Sequence, residues 1–275
     1  MKKFALLFIV SVISFQTYSQ RKPKIKGNRN VIEVREDLEP FTSIELADDL
    51  DIVLQKSTQE GYALELDDNL LDVLRFKVYN GILKISSFYN ITSKRKLEIT
   101  IFFQELRSVN MLNGKISMKD VISTDRLKVH TSGTSRLELN ATADIIDITM
   151  EEISSGDFNL ASDSLNVILK DRIDVKLYTT GSNNTIYMYE NASAKVEGTA
   201  DFLMAKLYGN SSLKASDLQA NDVLLITEDA PDAELRVLSN FQLSSKGGSR
   251  IKLYGDPKIT ILDFLDTSML EKEKN

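Results

Sequence analysis

The chain has 275 residues and contains no cysteine, no tryptophan, one histidine and only four prolines. Without cysteine there is no disulfide framework and no lipobox thiol for lipid attachment. Without tryptophan, the aromatic best suited to broad stacking on sugars is missing, which weighs against a lectin. With one histidine, His130, any His-based metal site or Ser-His-acid triad must be built on that residue and distant partners. Period-2 alternation sets His130 opposite Val129 and turns it outward. Basic surface is scarce too, because the formal charge is −6. The one dense basic run, Arg21-Lys22-Pro23-Lys24-Ile25-Lys26, reads as a solvated leader. Nucleic acid is therefore excluded as a partner, since phosphate neutralisation needs clustered cations.

Long apolar runs are absent after the N-terminus. There, Lys2 and Lys3 precede the apolar stretch Phe4 to Phe15, and Thr17-Tyr18-Ser19 offers small residues at −3 and −1 of a cut before Gln20. This predicts a signal peptide over 1–19, a basic leader over 20–30 and export across the inner membrane to the periplasm, outer surface or medium. The stretch is short for a span of about 20 residues, and no transmembrane segment remains once it is removed. Cleavage takes the charge from −6 to −8.

The rest is 42% hydrophobic and 27% charged, ordinary for a protein with a sizeable core. From Val31 onward apolar and polar residues alternate with period 2 almost everywhere, which predicts strands. Asp67 to Leu74 breaks the pattern and predicts one or two helical turns, capped by Asp67-Asp68. Phe76 to Ile85 centres on Asn80-Gly81 and predicts a hairpin with a type I′ turn.

A cassette of short strand, glycine flanked by Ser, Thr or Asn, and short strand returns at Gly114, Gly133, Gly156, Gly181, Gly198 and Gly209, at intervals of about 11 to 25 residues, and again at Gly248. Read together, these predict a parallel β-helix over 31–262 with an N-terminal strand and hairpin region. Each glycine would turn a rung corner, with neighbouring Ser and Thr satisfying corner amides. An antiparallel β-sandwich with glycine-centred hairpins is the alternative. Ile259 to Leu265 could cap the last rung, and 263–275 reads as a polar C-terminal tail.

Several blocks resemble the DUF2807 family, the head GIN domain of auto-transporter adhesins, which is abundant in Bacteroidota. They are Lys26-Gly27-Asn28 with the strand to Arg35 and Pro40-Phe41-Thr42-Ser43-Ile44; Asp68-Asn69-Leu70-Leu71 followed by Val78 to Ile85; and Tyr254-Gly255-Asp256-Pro257. The likeness runs from about Ile25 to Ile261. It implies a right-handed β-helix in an envelope or secreted protein, with no catalytic residue and no cofactor to carry over. Strict Gly-Ser-Gly triplets are absent, and no C-terminal run of membrane β-strands forms a translocator.

Three chemistries compete. Acidic clusters at Asp48-Asp49-Asp51, Asp67-Asp68, Glu151-Glu152 and Glu228-Asp229-Asp232 could serve a polysaccharide lyase or hydrolase, with calcium held by paired carboxylates. None follows a calcium-loop spacing, and solvated edge charges or helix caps account for them. A Lys-Leu-Tyr tripeptide recurs before three glycine turns, as Lys176-Leu177-Tyr178, Lys206-Leu207-Tyr208 and Lys252-Leu253-Tyr254. In equivalent rung positions the tyrosines would form a ladder, extended by Tyr187 and Tyr189, for a surface polysaccharide or an envelope protein. Such a non-enzymatic, adhesin-like face is the leading expectation. The third is an assembly module that self-associates end to end and shows an uncapped terminal rung.

Overall fold

The structure, a computed structural model, describes residues 22–274. The expected signal peptide lies outside the described residues. Strands make up 70% of the chain and helix 2%, wound into a β-solenoid of about 9 turns. The sandwich alternative is thereby set aside.

The rung length follows from the register. Arg136, Ser155, Asp174, Ser193 and Ser212 stack directly on one another, each 19 residues after the last. The column continues through Asp232 and Arg250 to Met269. All these pairings are parallel, about 4.8 Å apart. Within Arg136–Met150 the alternation slips once: Leu137, Leu139, Ala141 and Ala143 point in, Asp144 and Ile145 both point out, and Ile146, Ile148 and Met150 point in again. Two consecutive outward residues mark a corner. The part before it belongs to a first face and the part after it to a second face, and successive rungs repeat the slip.

The other corner lies between rungs. Gly133, Glu152, Asp171, Glu190, Gly209, Asp229, Gly247 and Asp266 occupy it in turn, and all have positive φ. At four of the five acidic positions the carboxylate reaches back one rung, which helps the residue hold the left-handed region. The Glu152 carboxylate accepts from the Gly133 amide at 2.7 Å, and Asp171 from the Glu152 amide at 3.0 Å. Asp229 does the same for Gly209 and Asp266 for Gly247. Nearby serines close the turn onto carbonyls: the buried Ser154 donates through Oγ to Glu151 O, and the half-buried Ser268 through Oγ to Leu265 O. Carbonyls, not the expected amides, are what the hydroxyls satisfy.

The glycines are thus divided. Gly114, Gly133 and Gly209 turn corners with positive φ, and Gly248 follows the positive-φ Gly247. Gly156, Gly181 and Gly198 lie inside long strands. Gly198 has φ +109°, and a Cβ there would stand 2.0 Å from the Thr179 carbonyl oxygen one rung below. Only glycine permits that approach.

At the N-terminal end chain order and spatial order part. Ser43–Leu46 lies between Ile82–Ser87 and Ser108–Met111 on the second face. Asp51–Lys56 lies between Leu97–Phe103 and Lys115–Met118 on the first face. Outside them run antiparallel strands: Gly61–Asp67 and then Val31–Asp37 on the first face, Leu74–Tyr79 on the second. Leu74–Tyr79 and Ile82–Ser87 form the expected hairpin, with Asn80 and Gly81 both at positive φ. The 3-10 helix Asp68–Val73 fills the end between the faces and buries Leu70 and Val73. Tyr62 stacks on Phe76 at 4.3 Å across that end.

Residues 22–30 are part of this cap and not a loose leader. Lys24–Lys26 pairs parallel with Asn90–Ser93, and Asn28 and Asn30 donate to the Asp68 carboxylate. Asp67 makes no helix-capping bond. Its fully buried carboxylate accepts from the amides of Arg29, Arg95 and Lys96 at 3.0–3.2 Å, because two loops bring N–H groups there that no strand pairs.

At the other end of the described residues the strands pair on one edge only. Lys258–Phe264 continues the second face and Met269–Lys272 the first. The segment expected as a cap and polar tail is therefore the last rung itself.

Candidate functional site

The flanks are built from outward positions, so register decides what each face presents. On the first face one column runs Asp157, Lys176, Lys195, Lys214, Glu234, Lys252 and Glu271. Three lysines follow one another at rung spacing. Like charges this close repel, and Lys195 is neutralised in place by Glu197 and, at 3.8 Å, Asp217. The hydrogen bond to Glu197 is the main reason the Lys195 ammonium titrates above its ordinary value.

Beside that column stands Tyr178, half exposed, with Asn159 and Glu197 as its lateral neighbours. Asp157, Asn159, Lys176, Tyr178, Lys195 and Glu197 rim a shallow depression of about 470 Å³. A second depression of about 270 Å³, rimmed by Lys214, Asp232, Glu234, Arg250 and Lys252, lies further along the same face. Tyr254 stands on the same face four rungs from Tyr178, with the Arg236 guanidinium 5.6 Å from its ring centroid.

The three Lys-Leu-Tyr copies do not form one ladder. Lys176, Tyr178, Lys252 and Tyr254 share the first face, whereas Lys206 and Tyr208 lie on the second. On that second face Tyr208 stacks on Tyr189 at 5.1 Å with rings 6° apart, and Lys206 sits 5.3 Å from the Tyr187 ring centroid. Ile168, Tyr187, Lys206 and Ile226 form one outward column, with Met204 and Leu224 alongside. This apolar strip has no tripeptide signature. Outward residues of successive rungs reveal it only once the 19-residue period is known.

Members of the acidic clusters weighed for the enzymatic alternative have structural partners. Glu151 pairs with Lys170 at 2.6 Å and Glu228 with Lys246 at 3.2 Å. Asp232 meets Arg250 through two hydrogen bonds of 2.7 and 2.9 Å, which hold its carboxyl below the usual range. Asp48 accepts from the Ser87 amide and from Lys22. Among the described residues, no three His, Asp or Glu side chains come together as metal ligands. His130 is half-buried on the outer surface, in register with Asn110 and Thr149.

Comparison with known proteins agrees with this geometry. Several solved structures share the fold, three of them as follows. A "putative lipid binding protein" from Parabacteroides distasonis is 20% identical with a TM-score of 0.60, covering 91% of this chain and 99% of its own. A "putative adhesin" from Parabacteroides merdae is 12% identical (TM-score 0.61, 91% and 99%), and one from P. distasonis is 14% identical (TM-score 0.61, 91% and 100%). At these identities the likeness is one of fold. Among curated proteins, none matches the chain. The family model described as "Putative auto-transporter adhesin, head GIN domain" matches residues 40–160 and again 151–257, nearly the whole solenoid, and the chain belongs to this DUF2807 family.

Proposed function

We infer that the protein is an exported, non-enzymatic cell-envelope adhesin that binds a surface polysaccharide along the first face of its solenoid. The observation that carries this reading is the Tyr178 platform. Its half-exposed ring stands between an amide and a carboxylate, Asn159 and Glu197, with Lys176 and Lys195 in the adjoining column. Aromatic faces supply contact area at low entropy cost, while fixed polar neighbours orient hydroxyl groups. Lysines recur in that column over four rungs, about 19 Å from Lys176 to Lys252 at 4.8 Å per rung and interrupted once by Glu234, which suits an extended, acidic glycan. The adhesin family supports a surface or extracellular location, and no helix among the described residues is long and apolar enough to cross a membrane. The carboxylates are committed to corners and ion pairs, which supports binding over hydrolysis.

A glycan array probed with the purified chain, followed by calorimetry on the best acidic hit, tests the assignment. Tyr178→Ala should weaken binding about 10-fold and Lys176→Ala with Lys214→Ala further, in a salt-dependent way. Tyr208→Ala, on the other face, should leave it unchanged. Undiminished affinity in the Tyr178 variant would refute the platform.

A second reading rests on the strip of Ile168, Tyr187, Met204, Leu224 and Ile226. One protein of the same fold is described as lipid binding, and this strip is where an acyl chain would lie. Vesicle co-sedimentation that is abolished by Met204→Glu and indifferent to Tyr178→Ala would favour it.

A further inference from the structure

The last rung departs from every rung before it. Ile259 and Ile261 stand over Phe241 and Leu243, and Phe264 stands over Ser245, in columns that are fully buried elsewhere. Here, with Leu262, Leu265 and Met269, they range from 41% exposed at Ile259 to 60% at Met269. Lys258–Phe264 and Met269–Lys272 each pair on one edge only, with Asn240–Ser245 and Arg250–Leu253. Of these, Ile259, Ile261 and Phe264 carry the core columns to the uncovered edge, whereas Leu265 and Met269 follow the outward columns of Lys246 and Arg250.

The two ends are managed differently. The N-terminal edges carry Glu33, Arg35, Glu36 and Asp37 on one strand and Arg75 and Lys77 on the other, and the interior between them is filled by the 3-10 helix and the Tyr62–Phe76 stack. Charged edge strands of this kind resist pairing. A C-terminal end cannot add to that closed end, so growth into a filament is blocked. The remaining match for an open end is an identical open end. Its charges are of both signs, Lys258 and Lys272 beside Asp263 and Glu271, so a two-fold axis can set cation against anion.

We propose that two copies of the chain associate through their C-terminal rungs about a two-fold axis perpendicular to the solenoid. Lys258–Phe264 and Met269–Lys272 then hydrogen-bond antiparallel to strands of the partner, and Ile259, Ile261, Phe264 and Leu270 of both copies close one continuous core. Such an isologous contact is saturated at two.

Sedimentation velocity across about 1–100 μM should show a monomer–dimer equilibrium with no larger species. Ile261→Lys should weaken association at least about 100-fold, while the Tm measured at concentrations that keep both chains monomeric should change little, because the side chain is nearly half exposed in the monomer. The chain has no cysteine, so Thr260→Cys introduces a single thiol at the open edge; oxidation should trap a covalent dimer, whereas Thr180→Cys on the flank should not. A monomer throughout the range, open-ended polymers, a dimer indifferent to Ile261→Lys, or equal trapping by both cysteines would each overturn the proposal. A monomer whose end is protected by an added apolar peptide would assign the site to a foreign strand instead.

Discussion

Asp67 shows how much one buried carboxylate can organise. It receives three backbone amides, and Gly27 is confined to glycine because a Cβ there would stand 1.9 Å from its Oδ2. The hydrogen bond from Arg95, ahead of those from Arg29 and Lys96, holds its carboxyl below the ordinary value of 3.8. A lowered folded pKa means that the contribution is full above the unfolded value and is lost as pH falls through the folded one. Asp67→Asn should therefore lower Tm by roughly 5 °C near neutrality, and the gap to the unaltered chain should shrink below about pH 3.5. Thermal melts across pH 2–7 check it; a constant gap would be inconsistent with the linkage. The Gly27-Asn28 and Asp68-Asn69 blocks were legible as marks of a family. That they clasp each other was not, because the contact spans some 40 residues and two loop conformations.

Among elements, the hairpin at Asn80-Gly81 was readable because a two-residue turn is a local matter of φ. The rung was not, and the reason is chemical. Its corner residue is glycine in Gly133, Gly209 and Gly247 but acidic in Glu152, Asp171, Glu190, Asp229 and Asp266. A search keyed on glycine sees fewer than half the corners and is misled by Gly156, Gly181 and Gly198 inside strands. The acid-or-glycine spacing of about 19 was the usable signal. It also explains the tyrosines: Tyr178 and Tyr254 differ by four rungs, whereas Tyr208 falls out of phase and onto the other face. The corner ladder makes a graded prediction. Asp171→Ala removes the acceptor for the Glu152 amide and leaves a strained backbone, so it should cost about 1–2 kcal/mol. Among the described residues the Glu190 carboxylate closes no such bond, and Glu190→Gly should be neutral or stabilising by up to about 1 kcal/mol. Urea titrations at constant m-value distinguish the two.

For the whole molecule, stability should be graded along the axis, since each rung touches only its neighbours. The central strands from Arg136–Met150 to Ser212–Asp229 are covered on both sides, while Lys258–Phe264 is covered on one. At concentrations low enough to keep the chain monomeric, amides of Lys258–Phe264 should exchange at least 100-fold faster than those of Ser155–Leu169. Raising the concentration should slow only the former. Uniform protection from end to end would contradict both the open rung and the solenoid's quasi-one-dimensional energetics.

The crossed order of the N-terminal strands has a consequence for how the chain comes into being. Emerging N-terminus first, it cannot lay down rungs from the start, because Ser43–Leu46 and Asp51–Lys56 must wait for Ile82–Ser87 and Leu97–Phe103 to cover them from outside. The first hundred residues therefore assemble together, as a seed. From Ser108 onward each further 19 residues can crystallise onto a finished template, one layer at a time.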